Sequence, residues 1–123
     1  MPANSARIAS AAKRNAPVFF ALGDETRLRL VSQLGRGEAM SIAALTHGTT
    51  VTRQAITKHL RVLEGAGLVR GARHGREQMW QLAPRKLDDA CRCLELISQQ
   101  WDEALLRLKT FVEAGEAGGT KER

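Results

Sequence analysis

Most of the positive charge of the chain lies in its middle, where it could bind an anionic partner. The segment from Thr50 to Arg76 carries six basic side chains and one acidic side chain, Glu64, a net charge of +5 in a chain whose total is +6. The six cations are Arg53, Lys58, Arg61, Arg70, Arg73 and Arg76. Guanidinium and ammonium groups concentrated in one segment are typical of a surface that binds the phosphates of a nucleic acid.

One predicted helix carries three of these cations on a single face. Thr52 has the side chain of a helix N-cap, and the pattern after it predicts a helix from Arg53 to Gly65. At about 100° per residue, the polar side chains share an arc of about 140° and the apolar side chains fill the opposite side. The polar arc contains Arg53, Gln54, Thr57, Lys58, Arg61 and Glu64. A charged helix face is usually only solvated, but cations and an amide near an electropositive helix N-terminus also suit the major groove of DNA.

Short segments with helical periodicity lie before this helix and give it a structural context. They predict helices over residues 5–14, 17–22, 25–34 and 42–47. Pro17 is placed in the first turn of its helix, and Ser41 is the predicted N-cap of the helix that ends at Gly48. This short helix, the turn after it and the helix from Arg53 together predict a helix-turn-helix.

The predicted helix over residues 25–34 is amphipathic and precedes the helix-turn-helix. Asp24 is its predicted N-cap. Its apolar stripe of Leu28, Val31 and Leu34 is predicted to face the core, with Arg27 on the opposite side.

A hairpin with a basic tip is predicted after the helix-turn-helix. Residues 68–73 and 76–82 have the composition of strands, and the two residues His74-Gly75 between them are a hairpin-turn signal. Trp80 and Leu82 share one face of the second strand and could anchor the hairpin to the helices. The tip carries Arg73, His74 and Arg76. Such a hairpin is a wing, so the predicted fold is mainly α with a small β-hairpin, a winged helix-turn-helix.

The last predicted helix, from Leu87 to Ala114, has an apolar seam with heptad spacing. The seam consists of Leu87, Ala90, Leu94, Ile97, Trp101, Ala104, Leu108 and Phe111. A helix of this length extends about 40 Å, which is more than one small winged domain can cover. Part of the seam is therefore predicted to bury against a second chain.

Four stretches of the chain resemble the ArsR/SmtB family of winged helix-turn-helix repressors of bacteria. They are A-L-G-D-E-T-R-L-R-L (21–30), S-I-A-A-L (41–45), T-R-Q-A-I-T-K-H-L-R-V-L-E-G-A-G-L-V (52–69) and R-H-G-R-E-Q-M-W-Q-L (73–82). The resemblance runs from Phe20 through Phe111. It implies a cytoplasmic homodimer that represses transcription by binding an inverted-repeat operator in double-stranded DNA, and that dimerises through its first and last helices.

The resemblance also implies roles for individual residues. The expected DNA contacts are Thr52, Arg53, Gln54, Thr57, Lys58 and Arg61 on the helix and Arg73, His74 and Arg76 on the wing. The expected dimer contacts are Leu87, Leu94, Ile97, Trp101, Leu108 and Phe111. Gln54 suits adenine and Arg53 or Lys58 suits guanine, whereas Arg61 and the wing cations suit phosphates. The expected divisions are an N-terminal helical arm (1–16), a DNA-binding core (17–83), a dimerisation helix (84–114) and a flexible tail (115–123).

Ligands for the metal sites of many family members are missing from the matching positions. The stretch 41–45 has no cysteine and the helix over 87–114 has no histidine, so no metal and no other cofactor is predicted. Cys91 and Cys93 are candidates for effector chemistry. Because residues i and i+2 of a helix differ by about 200°, these two thiols cannot share one ion within a subunit. Inert structural thiols are the favoured interpretation, and a thiol-based sensor of oxidants or arsenite is the alternative.

Other classes of function find less support in the sequence. No nucleophile motif, phosphate-binding loop or paired carboxylates in a supporting context are present, so no catalytic residue is predicted. No apolar run approaches the ~20 residues of a membrane span. His59 lies on the apolar side of its helix and is expected to be a partly buried histidine with a hydrogen-bond partner rather than a ligand. A protein-interaction adaptor that uses only the long helix is the other alternative, and the position of the basic segment argues against it.

Overall fold

The computed structural model describes the backbone of residues 3–122 and the side chains of residues 5–115. It contains five helices and three short strands within those residues. In chain order they are α1 (Ala3–Leu22), α2 (Glu25–Leu34), β1 (Met40–Ser41), α3 (Ile42–Thr46), α4 (Arg53–Gly65), β2 (Val69–His74), β3 (Glu77–Leu82) and α5 (Pro84–Glu122). Helix α3, the turn after it and α4 form the predicted helix-turn-helix, and β2 with β3 forms the predicted wing.

Side-chain caps fix where three of the helices begin, and all three predicted caps are confirmed. Asp24, Ser41 and Thr52 each have extended backbone angles, and each side-chain oxygen accepts the backbone N–H three residues later at 3.1 Å. Each of these bonds satisfies an N–H group that has no partner within the helix. Helix α4 therefore starts at Arg53, as predicted.

Helix α1 is continuous, so the prediction of two separate helices is wrong. Pro17 lies inside α1. Proline removes the N–H that would bond to the carbonyl of Lys13, which usually breaks a helix. Here Pro17 and Lys13 are exposed, whereas Ala11, Asn15 and Val18 are buried on one face that continues past the proline. Packing of α1 along α5 holds both halves in line, and the exposed carbonyl can bind water.

Helix α2 is rotated relative to its predicted orientation. Leu30 and Leu34 are fully buried, while Leu28 is 53% exposed. Arg27, which was predicted to face outward, is half-buried. Four apolar residues in α2 allow two different stripes, and contacts with the rest of the fold select between them.

The wing belongs to a three-stranded antiparallel sheet with the order β1-β3-β2. Strand β1 was not predicted, because a strand of two residues has no detectable alternation. The hairpin turn is one residue later than predicted: His74 pairs with Glu77, and Gly75 and Arg76 form the loop. Gly75 has a φ of 66°, which glycine adopts without steric cost at the first position of a tight hairpin turn.

The core lies between the helices and the inner face of the sheet. Its fully buried members are Leu30, Leu34, Leu45, Ile56, Leu60, Leu63, Leu68 and Trp80. Val18 and Ala21 of α1 and Ala90 of α5 also join this cluster. As predicted, Trp80 anchors the wing to the helices, and Leu82 is partly buried against the same core. The helix-turn-helix and the wing thus share one core.

Helix α5 begins at Pro84 and extends beyond the predicted end at Ala114. Most of the predicted tail lies outside the residues whose side chains are described, so its flexibility stays a prediction, as does the division of the chain into four segments. No helix in the described part of the chain combines the length and hydropathy that crossing a bilayer requires.

Candidate nucleic-acid interface

One face of α4 is exposed and polar, and the other face is part of the core. Ile56, Leu60 and Leu63 are buried. Five of the six predicted DNA contacts on this helix and its cap are exposed, namely Thr52, Arg53, Gln54, Lys58 and Arg61. The sixth, Thr57, is half-buried, and its hydroxyl donates to the carbonyl of Arg53 at 2.8 Å. Because a hydroxyl oxygen has two lone pairs, Thr57 can still accept a hydrogen bond from a base.

Four of the predicted DNA-binding cations lack an acidic partner within the described side chains. The ion pairs in that part of the chain are Arg29–Glu25, Arg61–Glu64 and Arg92–Asp89, and His59 Nδ1 lies 3.8 Å from a carboxylate oxygen of Asp24. Arg53 and Lys58 on α4 and Arg73 and Arg76 on the wing take part in none of them. These four cations are therefore free to pair with phosphates.

Arg61 differs from the other cations of α4. Its guanidinium lies 3.0 Å from a carboxylate oxygen of Glu64 and 5.2 Å from the centre of the Trp80 ring. The second contact is a cation–π interaction that joins the C-terminal half of α4 to the central strand of the sheet. A phosphate bound by Arg61 would have to compete with Glu64.

The wing presents its basic tip to solvent. Arg73, His74 and Arg76 are all exposed. The wing stays close to the helices because Gly71 pairs with Trp80 across the hairpin. A Cβ atom at position 71 would lie 3.0 Å from the Trp80 ring, so only glycine lets the two strands pack at this separation around the indole.

His59 has the hydrogen-bond partner that the sequence analysis expected. Its side chain is 25% exposed, and its Nδ1 atom lies 3.2 Å from a terminal nitrogen of Arg27 and 3.8 Å from a carboxylate oxygen of Asp24. The pKa of the Asp24 carboxyl lies below its ordinary value, mainly because the carboxylate accepts the backbone N–H of Arg27, with a smaller contribution from the nearby His59. Arg27 was not predicted as a partner of His59, since the predicted stripe of α2 placed it on the far side of the helix.

The apolar seam of α5 is divided between the core and the solvent. Leu87, which was predicted as a dimer contact, is partly buried against the core of its own chain. Ile97 is half-buried, whereas Leu94, Trp101, Leu108 and Phe111 are exposed. Three further exposed apolar side chains lie beside them and were not predicted: Leu105, Leu106 and Val112.

The two cysteines lie in different environments. Cys91 is exposed and Cys93 is buried, which agrees with thiols that point to different sides of α5. Among the described residues, no group of three histidine, cysteine, aspartate or glutamate side chains is placed to hold a metal ion.

Known proteins resemble this chain in both sequence and fold. A family model described as a helix-turn-helix domain matches residues 22–72. YuzN, an uncharacterized HTH-type transcriptional regulator of Bacillus subtilis, is 42% identical over 65 residues, which cover 48% of this chain and 71% of that protein. The solved structure of an ArsR-like transcriptional regulator from Rhodococcus sp. RHA1 is 37% identical, with a TM-score of 0.69, over 83% of this chain and 95% of that one.

The chain belongs to the ArsR family of winged helix-turn-helix transcriptional regulators. Members of this family regulate transcription and are not enzymes. A solution structure from Mycobacterium bovis, described as a homodimeric winged helix-turn-helix DNA-binding domain of a possible ArsR-family regulator, is 28% identical with a TM-score of 0.57. The match covers 85% of this chain and 94% of that structure. The predicted fold class and family are confirmed, and α4 has the position of the recognition helix, the second helix of a helix-turn-helix.

Proposed function

We propose that this ArsR-family regulator is a homodimeric repressor that binds an inverted-repeat operator in double-stranded DNA. The observation that carries the proposal is the exposed face of α4, where Arg53 and Lys58 flank Gln54 and have no acidic partner among the described side chains. A helix N-terminus with these side chains suits the major groove, because its backbone dipole and its cations both attract phosphates. The protein acts in the cytoplasm.

Individual residues divide into base contacts and phosphate contacts. Gln54 reads an adenine through two hydrogen bonds, and Arg53 or Lys58 reads a guanine. Thr52 and Thr57 lie on the same surface and add hydrogen bonds to the backbone or to base edges. Arg61, with Arg73, His74 and Arg76 of the wing, contacts phosphates and holds the helix in register.

The exposed apolar side chains of α5 support the homodimer. Trp101 is 63% exposed and Phe111 is 74% exposed, and large apolar patches on a small domain usually mark an interface. A two-fold dimer covers the same patch on both subunits at once. Pairing Leu94, Ile97, Trp101, Leu108 and Phe111 with the same surface of a second copy also provides the two half-sites that an inverted repeat requires.

The proposal is tested by selecting bound fragments from random DNA and measuring their affinity by fluorescence anisotropy. We expect a palindromic sequence with half-sites about one helical turn apart. Lys58→Ala should weaken binding by at least about fivefold, since a charged contact contributes about 1 kcal/mol or more. Arg92→Ala, which removes the same charge from α5, is the matched control. No selected motif, or equal affinity for Lys58→Ala and wild type, would contradict the proposal.

Repression is tested separately from binding. A promoter that overlaps the selected operator should be transcribed less in the presence of the regulator, and the Lys58→Ala variant should restore transcription. The thiol-sensor alternative predicts release of DNA by oxidants or arsenite, and replacement of Cys91 or Cys93 by serine should abolish that release.

A further inference from the structure

Arg27 contacts two other helices and the N-cap of its own helix. Its Nε atom donates to the carbonyl of Ala21 at 2.5 Å, in the last turn of α1. One of its terminal nitrogens lies 3.2 Å from Nδ1 of His59, in the middle of α4. Its backbone N–H donates to the carboxylate of Asp24, the N-cap of its own helix, at 3.1 Å. One half-buried side chain therefore joins the end of α1 to the recognition helix.

The contact with Ala21 completes the end of α1. The last four carbonyl groups of a helix have no partner within that helix. A guanidinium at this position satisfies one of these carbonyls and also carries the charge that the helix dipole favours at a C-terminus. The position of Arg27 is thus tied to the position of the end of α1.

The contact with His59 adds a directional constraint on the rotation of α4. Ile56, Leu60 and Leu63 hold α4 on the core, but hydrophobic contacts have no preferred direction of their own and so define this rotation less sharply than a hydrogen bond does. A hydrogen bond from a charged donor is directional and roughly twice as strong as a neutral one. His59 precedes Leu60 and follows Lys58, so any rotation that breaks the Arg27 contact also turns the DNA-binding face.

We infer that Arg27 and His59 are positioning residues for operator binding. Through its contact with His59, Arg27 fixes the rotation of the recognition helix relative to the end of α1. Because α1 packs along α5, the link connects the helix pair proposed to hold the dimer with the helix proposed to read DNA. This inference rests on the proposed function. Through the Arg27–His59 contact, a change in the position of the end of α1 at the proposed dimer interface reaches the operator-binding surface.

The test replaces each partner with a residue that removes or retains the contact. Arg27→Lys keeps the charge but loses the planar fork that reaches Ala21 and His59 together. His59→Ala removes the acceptor, His59→Asn keeps an acceptor near the position of Nδ1, and His59→Gln moves it toward the position of Nε2. Arg29→Lys, at an exposed residue of the same helix that pairs with Glu25, is the matched control.

Operator affinity is measured by anisotropy on full-length protein, well below the melting temperature of every variant. We expect Arg27→Lys and His59→Ala each to weaken binding about five- to tenfold, the double variant to be no weaker than the worse single variant, and Arg29→Lys to match wild type. His59→Asn should recover most of the affinity and His59→Gln should not. The slope of log affinity against log salt should stay constant, because no phosphate contact is lost.

Three outcomes would overturn the inference. They are additive losses in the double variant, equal affinities for His59→Asn and His59→Ala, and loss of melting temperature with unchanged operator affinity. The last outcome would assign the contact to stability alone. Failure of wild type to bind any selected DNA would instead refute the proposed function, so the two failures are distinguishable.

Discussion

The salt dependence of DNA binding should report how many cations meet phosphates. If Arg61, Arg73, Arg76 and whichever of Arg53 and Lys58 does not read a guanine each neutralise one phosphate in each subunit, a dimer neutralises eight. The slope of log affinity against log salt is about −0.9 for each phosphate, so we expect a slope of about −7. Raising the salt from about 50 to 200 mM should then reduce affinity about 20,000-fold.

Arg76→Ala tests the wing within this framework. The change removes two phosphate contacts from each dimer, so the slope should fall to about −5 and the same rise in salt should reduce affinity only about 2,000-fold. Gln54→Ala provides the contrast, because the amide is neutral. It should weaken binding to the operator about tenfold, leave nonspecific binding unchanged and leave the slope at its wild-type value.

The assay is a set of anisotropy titrations on operator and on random DNA at four salt concentrations. Arg92→Ala controls for the loss of one positive charge per subunit at a distance from the interface. If Arg76→Ala and Arg92→Ala give the same slope, Arg76 does not contact a phosphate. If Gln54→Ala weakens operator and random DNA equally, α4 does not read base edges.

Three further predictions concern stability and assembly. Gly71→Ala should lower the free energy of unfolding in urea by about 1–3 kcal/mol, because the added Cβ meets the Trp80 ring at 3.0 Å. Gly65→Ala is the control and should not lower it, because a Cβ at that position meets no atom within 4 Å. Leu94→Glu should give monomers in sedimentation, with weak operator binding; a stable dimer would move the interface elsewhere. A lowered pKa means that the charged form of Asp24 is favoured on folding, so the carboxylate stabilises the folded state. This stabilisation is complete above the ordinary carboxyl pKa of 3.8 and is lost as the pH falls through the lower folded-state pKa. Asp24→Asn keeps a capping side chain that does not titrate, so the variant should lose less stability than wild type between about pH 5 and pH 3 in urea denaturation. An equal loss in the two proteins would refute this reasoning.

Local signals in the sequence were sufficient where a single side chain decides the structure. Thr52 caps α4 because its hydroxyl reaches a backbone N–H three residues later, and this depends on little beyond the local chain. The exposed face of α4 follows from helical periodicity alone. Trp80 was recognisable as an anchor because a large aromatic on one face of a strand has few alternatives to burial.

Features that depend on distant parts of the fold could not be read in the same way. Pro17 ends an isolated helix, but α1 continues past it because a buried face on both sides packs on α5. Leu28 and Leu30 are equally apolar, and only the assembled core selects Leu30. The role of Arg27 was hidden for the same reason, since its partners Ala21 and His59 lie on other helices.

These nonlocal features all affect the relation between the dimer and the DNA. An inverted repeat fixes the distance between two recognition helices at about 34 Å, so each helix must hold its place relative to the subunit interface. The proposed dimer interface is on α1 and α5, the proposed DNA surface is on α4, and Arg27 is a polar link between α1 and α4 among the described residues. A small displacement at the end of α1 would therefore change the orientation of Lys58 and Gln54 without unfolding the core. For this reason variants of Arg27 should alter operator affinity even though Arg27 itself lies on α2.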